Sequence, residues 1–166
     1  AYDRAVRALL EEHRIDLVCL AGFLRILGAE VVRAFAGRIL NIHPSLLPAF
    51  PGLAAQRQAL EYGVKVAGAT VHFVDEGIDT GPILLQKEVE IGPEDTTGSL
   101  YFNKLFPMGV DALVEGVDLV KRGNPPRMAQ DEYLATYEPP CEDSLVKIDW
   151  GRPLPEIHNL IRGADP

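Results

Sequence analysis

Apolar and polar positions alternate along this chain in two different periods, and the switches between them divide it into elements. Within residues 3–13, Val6, Leu9 and Leu10 share one face while Arg4, Glu11 and Glu12 fall elsewhere, the spacing of a helix. Leu17 to Leu20 is a short, wholly apolar run closed by Gly22, as a parallel strand covered on both faces requires. Residues 30–35 predict a short helix ended by Gly37, and Ile39 to Ile42 a second buried strand. The stretch His43 to Gly52 is punctuated by Pro and Gly and reads as a loop, and a helix over 53–62 stops at Gly63. Strands follow at 69–74 and 83–89, joined by the turn-forming run Asp75-Glu-Gly-Ile-Asp-Thr-Gly-Pro82. A longer helix spans 97–122, with Gly123 as its C-cap and a bend or break expected at Pro107.

Beyond Asn124 the period is lost. The segment to Glu142 is proline-rich and predicts an extended strap over the surface, with a short apolar patch at 147–150 and a terminal helix over 155–162. The chain therefore divides at Gly123, with a catalytic-type domain over 1–123 and a strap and helix over 124–166. Strands alternating with helices of this length predict an α/β fold, a Rossmann-like and mainly parallel sheet with flanking helices. Such sheets bind ligands at the carboxyl ends of their strands.

Charge narrows the functions. The 166 residues carry 16 Lys and Arg against 24 Asp and Glu, a net charge of −8, which supplies no electrostatic footprint for nucleic acid. No apolar run reaches the ~20 residues of a membrane span, and no signal peptide is expected. Cys19 and Cys141 form no C-x-x-C pair; Cys19 lies in an apolar run and is expected to be a small buried hydrophobe. A reducing, cytoplasmic setting is the expectation.

Three polar groups stand at or just past predicted strand ends. Asn41 interrupts an apolar strand, His43 leaves it, and Asp79 lies in the loop after the third strand. His72, inside that strand, reads equally as a packed core histidine or as support for a site. These residues point to an α/β enzyme without fixing its chemistry, since each alone also serves a turn or a strand.

The resemblance to a family is carried by longer runs. Leu20-Ala-Gly-Phe-Leu-Arg-Ile-Leu27, Leu40-Asn-Ile-His-Pro-Ser-Leu-Leu-Pro48 and Val66 to Gln86 resemble, in order and spacing, the phosphoribosylglycinamide formyltransferases. The resemblance covers residues 8–95. It implies transfer of a formyl group from the cosubstrate 10-formyltetrahydrofolate to the amine of glycinamide ribonucleotide, without a metal. It makes Asn41, His43 and Asp79 the catalytic triad. Asn41 would donate to the developing oxyanion, His43 would stabilise the same oxygen or shuttle a proton, and Asp79 would hold the imidazole and raise its pKa, or relay the proton. By the same resemblance Leu20, Leu24, Arg25, Ile26, Leu27 and Val32 line the folate pocket. The loop Val74, Asp75, Glu76, Gly77, Ile78 and Asp79 would close over the pterin.

The chain departs from that family in three places. In the family a strand and a Gly-rich turn, a phosphate cradle, precede the matched region, so Ala1 is expected to lie inside a longer catalytic domain. Ala54 and Gln56 stand where the purine enzymes carry two histidines on the acceptor side. Leu105 to Gly109, Ala135 to Tyr137, Lys147 to Trp150 and Ile157 to Gly163 instead resemble methionyl-tRNA formyltransferase and the formyltetrahydrofolate hydrolase domain, where such a strap leads to a second domain. Three alternatives follow: a two-domain enzyme formylating methionyl-tRNA or another amine, release of the formyl group to water, and a non-catalytic folate-binding module. The oligomeric state is left open.

Overall fold

The computed structural model describes residues 1–136 and 146–165. In chain order these form α1 (Tyr2–Glu12), β1 (Val18–Ala21), α2 (Ala29–Ala34), β2 (Ile39–His43), α3 (Ala55–Tyr62), β3 (Val66–Phe73), β4 (Ile83–Glu90), α4 (Thr97–Leu100), α5 (Phe106–Lys121) and α6 (Leu154–Ala164). A π-turn, Tyr101–Leu105, joins α4 to α5, and a 3₁₀ turn, Glu132–Leu134, lies in the strap. Cys141 and the strap beyond Thr136 fall outside the described residues.

The sheet runs β1-β2-β3-β4. It is mixed where a mainly parallel one was expected: β1 pairs parallel with β2, but β2–β3 and β3–β4 are antiparallel. Loop 74–82 is too short for a crossover, which needs a dozen residues or more. Register explains the other reversal. His43, the last residue of β2, pairs with Thr70, so β3 begins beyond the end at which β2 leaves the sheet.

Pairing of Asn41 with His72 and of His43 with Thr70 puts these four polar residues on one sheet face. The opposite face presents Leu40, Val71, Phe73 and Leu84, which pack on Ala112 of α5. Small residues let α5 lie close. A Cβ on Gly116 would sit 3.1 Å from Leu84 Cδ2 and 3.2 Å from Val71 Cγ1. A second cluster, including Phe50, Ala55, Leu60, Ala67, Leu100 and Leu105, joins α3 and α4 to the sheet. There α6 is fastened by Arg162, which donates to Gly92 O at 3.1 Å.

Two expectations are corrected at the periphery, and the expected break at Pro107 is found. Leu9 is exposed on α1, because only Val6 and Leu10 reach the cluster of Val31, Phe35 and Ile39. Cys19 is exposed as well: β1 has β2 on one side alone among the described strands, and its residues alternate between half-buried and exposed. The long helix is interrupted before Pro107. The π-turn widens the backbone there, and Pro107 enters α5 in its first turn, where a missing N–H costs little.

Candidate active site

The polar face of β2 and β3 is assembled by two loops. The first, 44–54, is locked from beneath by Thr70, whose Oγ1 donates to Ser45 O at 2.6 Å and accepts from Leu47 N at 3.1 Å. Gln86 Nε2 donates to Leu47 O and to Thr70 Oγ1, both at 2.9 Å. Sequence reasoning passed over Thr70 and Gln86. A signal for Thr70 was present, since it alternates with Ala69, Val71 and Phe73 in step with His72.

The second loop brings in Asp79. Because β3 runs opposite to β2, Asp79 does not arrive at a shared carboxyl edge. The loop doubles back over the paired Asn41 and His72, with Asp79 itself at φ 55°. Asp75 Oδ1 bridges that loop by accepting from Gly77 N and Thr80 Oγ1. Arg33 of α2 holds its outer side through both carboxylate oxygens of Glu76, at 2.6 and 3.0 Å.

The four groups then meet. Asp79 Oδ1 lies 3.4 Å from Asn41 Nδ2 and 3.5 Å from His72 Nε2; Oδ2 accepts from Gly52 N at 2.9 Å and faces His43 Nδ1 at 3.4 Å. A carbonyl can only accept, so His43 donates through Nε2 to Phe50 O at 2.8 Å. The basic nitrogen, Nδ1, is thereby turned to Asp79. By the same logic His72 donates from Nδ1 to Phe73 O at 3.1 Å. Its Nε2 accepts from Asn41 Nδ2 at 3.1 Å and fixes the orientation of that amide.

Burial and charge pull His43 in opposite directions. Its side chain is buried, and loss of solvent holds its pKa below the ordinary 6.5, outweighing the upward pull of Asp79 and of the Phe50 carbonyl. The expected net rise is therefore a fall. For Asp79, burial opposes ionisation, but His72 and His43, which favour the carboxylate when protonated, and the Gly52 amide more than offset it and hold the carboxyl below its ordinary 3.8. Asp79 is thus a carboxylate and His43 a neutral base at neutral pH.

The sign of the resulting linkage is fixed. An unfolded chain protonates its histidine near 6.5, while native His43 stays neutral, so the unfolded state binds more protons as pH falls below that value. Stability present above 6.5 should drain away toward lower pH, and Asp79 adds a second loss below 3.8. The unfolding free energy from urea titrations is expected to fall between pH 7.5 and 5.5 with a slope of at most about 1.4 kcal/mol per pH unit from this one group. His43→Gln should flatten it; an unchanged slope in that variant would assign the effect elsewhere.

The residues expected to line a folate pocket separate into two sets. Leu20, Leu27 and Val74 pack together beside Ile39, and Val32 is buried. Leu24 and Ile26 are exposed, Ile78 is exposed on the loop, and the Arg25 guanidinium stacks 4.4 Å from the Tyr2 ring centroid. An apolar floor with projecting apolar edges thus adjoins the polar cluster. Among the described residues no three His, Cys, Asp or Glu side chains are grouped to hold a metal ion, and no helix is long and apolar enough to cross a membrane.

Known proteins share both the sequence and the fold of this chain. Phosphoribosylglycinamide formyltransferase of Bacillus subtilis is 54% identical over 96 residues, covering 58% of this chain and 49% of that protein. The cytosolic 10-formyltetrahydrofolate dehydrogenase of Xenopus laevis is 46% identical over 123 residues, 74% of this chain and 14% of that protein. The crystal structure of glycinamide ribonucleotide transformylase 1 from Symbiobacterium toebii superposes with a TM-score of 0.73 at 47% identity, covering 78% of this chain and 62% of that one. The chain thus spans about half the length of the Bacillus protein. The formyl transferase family pattern matches residues 1–117, and the chain belongs to that family.

Proposed function

We propose that this protein transfers the formyl group of 10-formyltetrahydrofolate to the amine of glycinamide ribonucleotide. The observation that carries the reading is the meeting of Asn41, His43, His72 and Asp79 within 3.5 Å, beside an apolar floor. An apolar surface beside a few convergent polar groups suits a flat heteroaromatic donor. Leu20, Leu27, Val32 and Val74 would form its base, Leu24, Arg25 and Ile26 one rim, and Asp75, Glu76, Gly77 and Ile78 the other.

Each side chain has a task in that reaction. The amine attacks the formyl carbon, the new N–C bond forms, and the carbonyl oxygen gathers charge. Asn41 Nδ2 is the donor for that oxygen, because its 3.4 Å bond to Asp79 Oδ1 is long and readily exchanged. The amine must lose a proton. His43 Nδ1 accepts it, and the imidazolium so formed is paired with Asp79. As the bond from carbon to the folate nitrogen breaks, that proton passes to the departing nitrogen, and His43 is neutral again. His72 holds the Asn41 amide in place.

A second reading rests on one observation: the match to the Xenopus dehydrogenase covers more of this chain than the match to the Bacillus enzyme, 74% against 58%. Water in place of the amine would give formate with the same four side chains. The test supplies the full-length protein and formyl-labelled donor with glycinamide ribonucleotide, with methionyl-tRNA, or with neither. Labelled formylglycinamide ribonucleotide is the expected product. Formate release regardless of acceptor would replace this reading with the hydrolytic one, and labelled tRNA would move the acceptor to RNA.

A further inference from the structure

The strap that follows α5 touches both loops of the site at one point each. Gln130 donates from Nε2 to Asp79 O at 2.7 Å and to Gly81 O at 2.8 Å, so both amide hydrogens are spent on the loop carrying Asp79. Thr136 Oγ1 accepts from Phe50 N at 2.7 Å. Phe50 is the residue whose carbonyl orients His43, two positions before the Gly52 amide that binds Asp79. Between β4 and the strap, Met128 pairs with Ile83 through two backbone bonds, which seats the strap at the mouth of the β3–β4 hairpin.

Both loops need such support. Phe50 and Asp79 each hold φ 55°, a conformation that costs a non-glycine residue free energy and persists only where neighbours enforce it. One bond joins the loops directly, Gly52 N to Asp79 Oδ2. Gln130 and Thr136 add a second tie by fastening both loops to one segment.

We propose that Gln130 and Thr136 are positioning residues, and that the strap is a clamp setting the His43–Asp79 geometry for the formyl transfer proposed above, on which this inference rests. Neither side chain meets Asn41, His43 or the Asp79 carboxylate directly. Their effect is on alignment: Gln130 holds the Asp79 backbone, and Thr136 holds the Phe50 carbonyl that fixes the His43 tautomer.

The experiment uses the full-length protein with Gln130→Met and Thr136→Val, each close in size and lacking the bonding group, and Thr136→Ser, which restores the oxygen. Steady-state kinetics are run beside an NMR titration of the His43 ring. Gln130→Met and Thr136→Val are expected to lower kcat about tenfold, with KM for the formyl donor within about twofold, since misalignment of a reacting group acts on turnover. The His43 titration should shift in both, and Thr136→Ser should return both readouts to those of the parent. An unshifted His43 titration with unchanged kcat would overturn the clamp. So would a fall in kcat matched by an equal rise in KM, or no recovery in Thr136→Ser. Should the parent protein transfer no formyl group, the enzyme reading fails, while the titration still decides whether the strap governs His43.

Discussion

Replacing His43 with alanine is expected to lower kcat for formyl transfer by about 10²–10⁴-fold, the usual contribution of a placed proton-transfer group, while affinity for the formyl donor changes little. The argument is geometric. His43 is buried, is committed on one side to Phe50 O and on the other to Asp79, and is no part of the apolar floor of Leu20, Leu27 and Val74. Its loss should remove the acceptor for the amine proton and leave the surface that receives the pterin. Single-turnover rates and equilibrium binding of the donor separate the two effects. Equal loss of binding and rate would make His43 a structural residue.

Gly81→Ala is expected to be nearly as damaging without touching any polar group. A Cβ at that position would lie 1.7 Å from Phe73 O and 2.9 Å from Phe73 C, backbone against backbone, where no side chain can swing aside. The loop must therefore separate from the end of β3, breaking the Phe73 N to Pro82 O bond and carrying Asp79 off Asn41 and His43. Displacement of a reacting group by about 1 Å costs on the order of 100-fold in rate, and forced overpacking costs roughly 1–3 kcal/mol of stability. Turnover and the urea midpoint should fall together. Parental values for both would show that the loop absorbs the methyl group without moving Asp79.

Much of this was legible in the residues, and what was not has identifiable causes. The apolar runs gave β1, β2, β3 and β4 within a few residues, because buried strands need unbroken hydrophobic stretches. Asn41 and His43 declared themselves as polar residues at every second position of one such run. Strand direction was hidden, since period alone does not distinguish parallel from antiparallel neighbours. That error also misplaced the route of Asp79, which comes from a loop folding back and not from an adjoining strand end. The pKa direction of His43 was misread for a related reason: a carboxylate neighbour can be guessed from a motif, but the depth of burial that outweighs it cannot. Gln130 and Thr136 sit in a segment without periodicity, where no pattern marks which side chains face inward.

The β2–β3 register has a bearing on assembly as well as on chemistry. A slip of one residue would turn Asn41 and His43 toward α5 and put Leu40 and Ile42 against the loops. Polar groups so stranded cost about 1–3 kcal/mol each, in sum a large fraction of the stability of a small domain. A mispaired chain would thus be inert and unstable at once, and visible to cellular proteolysis. The residues proposed to carry the reaction double as an inspection mark on the finished sheet.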